Sequence, residues 1–322
     1  MKRHNISGGV ALLLAAGLAY ASGLPEEYHP PRETPKVEMP KVEKGLTTKP
    51  APGLHDVSVT FAVGGVAEDE LAAATDKMAA VLERRAVGLA QSYDVTPDAE
   101  HIGRIRVDLK GCAEPDRALA ILLTPGRLEF QAVATKAELT ALAASAGWAA
   151  DRFIASDHAS LLLVPAGDKA AFAADVARVL PAGQRIVWSR EVAYDGRPVY
   201  KVGLATGDGM AVTGSIKAAA VAAENGAPRV DFELGPADGV NFSGLTGRHV
   251  GEAIAVIFDD EVLYTARVQE QAFEYVTIFG DLDEARASEI ALVLNSGSLP
   301  AVLTPLEYAV DGKSRPLPAG RR

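Results

Sequence analysis

Val57, Val59, Phe61 and Val63 alternate with polar or small residues. That period of two belongs to a strand with one face buried. Gly64-Gly65 ends it, and Leu71, Ala74, Met78, Val81, Leu82 and Arg85 then recur at helical spacing. Glu68, Asp69 and Glu70 suit the positive end of that helix. Ile105, Val107 and Leu109 read as a second strand, Glu114-Pro115 opens a short helix, and Leu128, Phe130 and Ala132 read as a third strand. Strand, helix, strand, helix, strand is the rhythm of a ferredoxin-like sandwich, which needs one more strand. Val302–Tyr308 is the candidate. The chain is therefore expected to leave a base at 54–134 and return to complete it at about 298–309.

The residues between, 135–297, carry a periodicity of their own and are expected to form a head. Thr135 and Glu138 make a capping box ahead of Leu139, Leu142 and Ala146, with Gly147 as the stop. Leu161–Val164 reads as a strand. Asp168 reads as the cap of a helix facing inward through Phe172, Val176 and Val179. Ile186–Trp188 and Val199–Gly203 read as strands joined through Asp195-Gly196. Val230, Phe232 and Leu234 alternate, as do Ile254, Val256 and Phe258, and Asp259-Asp260 turns the latter strand into Val262–Ala266. Asp281 and Glu284 cap a helix facing inward through Ala287, Ile290, Ala291 and Leu294, with Gly297 at its end. The expected class is α+β in two lobes, a ferredoxin-like base and an α+β head.

The ends read differently. Lys2 and Arg3, the apolar run Val10–Leu18 and Ala19-Tyr20-Ala21 follow in the order of an export signal, 1–21, with the mature chain starting near Ser22. The expected location is periplasmic or envelope-associated, with an N-terminal membrane anchor if the signal is uncleaved. Residues 22–53 hold seven prolines and few large apolar groups, the composition of an extended, disordered linker. Residues 310–322 read as a disordered polar tail. A net charge of −10 argues against nucleic acid. Cys112, alone, cannot pair within the chain.

No reactive constellation emerges. The six histidines are scattered without metal-ligand spacing. Asp157, His158 and Ser160 include triad residue types but no strand–turn–helix elbow to present a nucleophile. Gly203–Gly214 lacks a phosphate-loop lysine and reads as a glycine-dotted loop. Asp259-Asp260-Glu261 and Asp281–Glu284 fit a hairpin tip and a helix cap better than calcium loops. No catalytic residue, metal ligand, cofactor-binding residue or small-molecule cofactor is expected, and the chain reads as no enzyme.

One resemblance adds to this. Asp231–Leu234, Gly251–Asp259, Phe279-Gly280-Asp281 and Leu294–Pro300 resemble, in order, the large outer domain of SecD, an accessory subunit of the bacterial Sec export machine. Gly103–Gly111, Leu128-Glu129-Phe130 and Val212-Thr213-Gly214 extend the likeness, although Lys110 stands where that family usually has proline. The family's membrane bundle follows the Gly-x-Leu-Pro signature. Here a polar tail to Arg322 follows, so the chain reads as the SecD outer domain, base plus head, without the bundle. The resemblance implies binding of unfolded secretory polypeptide, or of Sec membrane components, in or beside Sec-dependent translocation. The alternative is an envelope structural or interaction protein that uses the head fold to hold a membrane-complex partner.

Overall fold

The computed structural model describes residues 43–44, 53–156, 158, 160–221 and 228–317. The expected export signal, most of the proline-rich segment and the end of the tail lie outside them. In chain order the elements begin β1 (Glu43–Lys44), β2 (His55–Gly64), α1 (Leu71–Val87), β3 (Ser92–Pro97), β4 (Arg104–Cys112), α2 (Pro115–Leu123), β5 (Leu128–Val133), α3 (Lys136–Ser145), β6 (Leu162–Pro165), α4 (Lys169–Ala177) and β7 (Arg185–Tyr194). They continue β8 (Arg197–Ala211), β9 (Ile216–Val221), β10 (Arg229–Leu234), α5 (Pro236–Arg248), β11 (Ala253–Phe258), β12 (Glu261–Arg267), β13 (Tyr275–Ile278), α6 (Glu284–Ser296), β14 (Val302–Val310) and β15 (Lys313–Ser314). The class is α+β.

Internal contacts divide the chain into two compact units. Of the described residues, one holds those up to Gly126, Ser215–Ala220 and those from Ala285 onward. The other holds Arg127–Gly214 and Val221–Glu284. The chain thus leaves the first unit at 126 rather than 134, and re-enters it at 285, at the start of α6.

The first unit is ferredoxin-like, though one of its four core strands, β3, is not the one the alternation pointed to. Its sheet runs β1-β3-β4-β2-β14-β15, and the β2–β4, β3–β4 and β2–β14 pairs are all antiparallel. With β2, β3, β4 and β14 as the four strands, this is the order of a split βαβ sandwich. The hairpin β3–β4 supplies the second and third of these strands in chain order. Leu128–Val133, expected as the third strand, pairs with β11 and β8 in the other unit. Val57, Val59, Phe61, Ile105, Val107 and Leu109 are buried in one core with Met78 and Leu82 of α1 and Leu119 and Leu122 of α2. The start of the supposed disordered tail is ordered: Asp311 and Gly312 take positive φ, and Val310 pairs with Lys313. Glu43–Lys44, inside the supposed linker, pairs in parallel with Ser92-Tyr93.

Arg85 is fully buried in this unit. Its Nη1 donates to the carbonyls of Ile121 (2.9 Å), Leu122 (3.0 Å) and Thr124, and its Nη2 to that of Gly297 (3.2 Å). The first three acceptors lie at the C-terminal end of α2, where the helix dipole favours a cation.

The second unit is built on a sheet ordered β5-β11-β12-β7-β8-β6 in which β5 also pairs with β8. Five strands therefore close into a ring, joined between β12 and β7 by the parallel pair Glu261–Trp188. β8 makes this possible. It pairs with β7 up to Ala205 and with β5 from Ala205 to Ala211. The stretch expected as a loop is this strand. Gly209 sits where a side chain would meet the Phe130 carbonyl at 2.5 Å, and Gly207 takes φ +93°, so the glycines allow strand crossing. Val133, Val187, Ala205, Ala255, Ile257 and Val262 pack together.

Helices α3 and α4 cover β6 and β8 through a core of Leu139, Trp148, Phe172, Val176, Val202 and Leu204. Thr135 and Glu138 form the expected capping box. Asp168 stands at the N-cap position of α4, as expected, but its side chain makes no capping hydrogen bond and pairs with Arg152 instead.

Candidate functional site

α5 is poor in helix formers. Gly239, Gly244 and Gly247 each weaken it, and only Pro236 at its first turn favours its start. It persists through buried anchors. Asp238 is 3% exposed, and its Oδ2 accepts the backbone N–H groups of Thr213 (3.2 Å) and Gly214 (2.6 Å). Phe242 packs on Phe130 of β5 with ring centroids 4.5 Å apart. Thr246 Oγ1 accepts from the Ala272 N–H (3.0 Å), and Gln271 Nε2 donates to Ser243 Oγ (2.7 Å). The segment leading to β13 is thereby strapped along α5.

β13 is a terminal strand of its sheet, antiparallel to β10. The Leu234 N–H donates to the Glu274 carbonyl at 2.8 Å. Because antiparallel partners alternate between bonded and non-bonded pairs, Val276 and Ile278 also face β10. The N–H and C=O groups of Tyr275 and Thr277 must then point away from it. Tyr264 occupies one of these outward groups, donating its hydroxyl to the Thr277 carbonyl at 2.7 Å. Burial raises the Tyr264 phenol well above its ordinary value, so it stays a donor. The backbone of Tyr275 is left pointing outward, beside a side chain that is 53% exposed.

Two further apolar groups stand near it. Phe273 is 53% and Val240 72% exposed. A methyl group on Gly239 would meet the Glu274 side chain at 3.5 Å, which places Val240, Phe273 and Tyr275 on neighbouring stretches of the surface. Beneath, Phe130, Phe242, Ile254, Val256, Tyr264 and Val276 line a small apolar cavity. The arrangement offers backbone donors and acceptors flanked by exposed apolar side chains, which suits an added extended strand.

The residues weighed for chemistry lie elsewhere. Asp259 Oδ1 accepts the Arg127 N–H at 2.8 Å, and Asp260 pairs with Arg127 and Arg185, so that hairpin tip is tied down. Lys201 and Arg190 bind Asp281. His55 and His101 pair with Asp311 and Asp98. Cys112 is buried, and burial raises its thiol pKa. Ser160 is buried, while Asp157, His4 and His29 lie outside the described residues. No group of three or more potential metal ligands occurs among the described residues.

Sequence and fold comparisons agree with this architecture. Residues 192–301 match the model of the SecDF P1 head subdomain. The protein translocase subunit SecD of Koribacter versatilis is 38% identical over 91 residues, 28% of this chain and 17% of that protein. SecD of Magnetococcus marinus is 28% identical over 210 residues, 65% of this chain and 34% of that protein. A crystal structure of SecDF in a super-membrane-facing form matches 85% of this chain and 32% of its own, with a TM-score of 0.51 and 22% identity, which is a likeness of fold. The fold and the head define a SecD-like domain. The chain spans about a third or less of the length of these relatives. Among the described residues no helix is long and apolar enough to cross a membrane.

Proposed function

We propose that the protein is a non-catalytic, exported, periplasmic or envelope-associated SecD-like component that binds extended or unfolded polypeptide during Sec-dependent translocation. The observation that supports this reading most is the outward-facing backbone of β13 at Tyr275, flanked by exposed Phe273 and Val240, inside the matched head segment. Main-chain hydrogen bonds recognise no particular sequence, as a carrier of many clients requires. The net charge of −10 fits a protein client better than nucleic acid.

Tyr275→Pro tests this. Its N–H points away from β10, so proline removes the outer donor without breaking the pair that holds β13 in place. Wild-type protein is expected to bind a reduced, carboxymethylated secretory protein with a Kd of roughly micromolar or weaker, about −8 kcal/mol. The variant should bind at least about tenfold more weakly, about 1.4 kcal/mol, with an unchanged denaturation midpoint. Equal affinity in both proteins would refute the edge as the site.

A further inference from the structure

His249 ends α5, and both of its ring nitrogens face carboxylates. Nδ1 lies 2.6 Å from Glu252 Oε2, and Nε2 lies 2.8 Å from Asp208 Oδ2. A neutral imidazole carries one N–H, so it satisfies one of these contacts and sets a lone pair against oxygen in the other. Only the imidazolium donates to both. The ring is well shielded, with its side chain 14% exposed. Its place at the C-terminal end of a helix also favours a positive charge.

The two carboxylates belong to different parts of the second unit. Asp208 stands between Gly207 and Gly209, at the crossing of β8 from β7 to β5. Glu252 stands on the turn into β11, where its carbonyl accepts the Val268 N–H at 2.8 Å. Two further cations adjoin the cluster: Arg248 binds Asp208 through Nε (3.2 Å) and Nη2 (2.8 Å), and Arg267 donates to the Gly251 carbonyl (2.9 Å).

We propose that Asp208, His249 and Glu252 form a proton-operated latch, closed when His249 is the imidazolium, which fastens the crossing of β8 to the end of α5. The neutral ring keeps its hydrogen on Nδ1, toward the shorter contact with Glu252, so loss of the proton opens the other side and leaves Arg248 alone on Asp208. Burial opposes the proton on His249, but hydrogen bonds to Glu252 and Asp208 outweigh it and raise the pKa above 6.5. Arg248 and then His249 hold Asp208 down to about 2, so that carboxylate stays charged throughout. The sign follows from the raised histidine. The stability that the latch contributes is fully present below the ordinary histidine value of 6.5 and is lost as pH rises through the higher folded value.

The test is an NMR titration of the full chain, labelled with 15N-histidine and at backbone amides, from about pH 5 to 9. The spectrum of His249→Gln assigns the His249 signals. The latch requires both His249 ring nitrogens protonated at the acid end, a midpoint above 6.5, and Gly207, Asp208, Gly209 and Glu252 amides that shift with the same midpoint. Amide exchange across 207–209 should rise at least about tenfold beyond its intrinsic pH dependence as the ring deprotonates. Asp208→Asn should lower the midpoint and uncouple the 207–209 amides from it. A midpoint at or below 6.5, or amides at 207–209 that ignore His249, would overturn the latch.

Discussion

Arg85→Met should destabilise the first unit by about 3–5 kcal/mol, measured as a fall in the urea midpoint with little change in slope. Methionine fills much of the volume and removes the charge, so the loss reports the hydrogen bonds. Ile121, Leu122 and Thr124 would lose a shared donor at the end of α2, and Gly297 would lose its donor after α6. Buried carbonyls without a donor carry the full cost of desolvation. The guanidinium is closely packed. A side chain on Gly126 would already meet Arg85 Nη2 at 3.1 Å and Val293 at 2.7 Å. Hydrogen exchange should localise the damage to 121–126 and 297–299, because the Leu299 N–H donates to the Pro125 carbonyl at 2.7 Å beside the lost contacts. Arg85→Lys should recover part of the loss, since one ammonium cannot span both sets of carbonyls. A loss below about 1 kcal/mol would mean that α2 holds this end without the arginine.

Trp148→Ala should cost a similar amount, about 3–5 kcal/mol, in the second unit. α3 and α4 are rich in alanine and bury few large side chains, Leu139 on one and Phe172 and Val176 on the other. Trp148 is 1% exposed and fills the space between them. Its ring packs edge-on against Phe172 at 5.1 Å and lies 6.3 Å from Phe153, and the Arg152 guanidinium sits 3.5 Å above it. Nε1 donates to Asp175 Oδ2 at 3.0 Å, fastening α4 to the turn after α3. Trp148→Phe keeps the aromatic packing and loses that hydrogen bond, so it should lose about 1–2 kcal/mol by comparison. Equal losses in the two variants would show that the hydrogen bond, and not packing, dominates.

The strands legible in the sequence were those with a clean alternation. β2, β4, the β11–β12 hairpin and β14 all declare themselves through residues such as Val57, Val107, Val256 and Tyr308. Arg85 was legible as an arginine on the apolar stripe of α1, though its acceptors were not. β3 offers only Tyr93 and Val95 among polar residues, too few for a periodic signal. α5 was hidden by its glycines, since its stability comes from tertiary anchors at Asp238, Phe242 and Thr246 rather than from propensity. The Leu128–Val133 strand was read correctly as a strand and assigned to the wrong unit, because alternation shows a buried face without showing the partner. The same limit hid the candidate site. Nothing in Tyr275-Val276-Thr277-Ile278 says which backbone groups point outward until the register with β10 is known.

On the proposed reading, β13 receives extended polypeptide. The most direct measurement places a photo-crosslinking amino acid at Tyr275 and, as a control, at Ala62 on β2, in cells exporting an unfolded secretory client. Crosslinks from 275 to several unrelated clients during export, with few from 62, are the expected result. Crosslinks from 275 to a single folded envelope protein, with none to clients, would contradict it and favour a structural partner of a membrane complex.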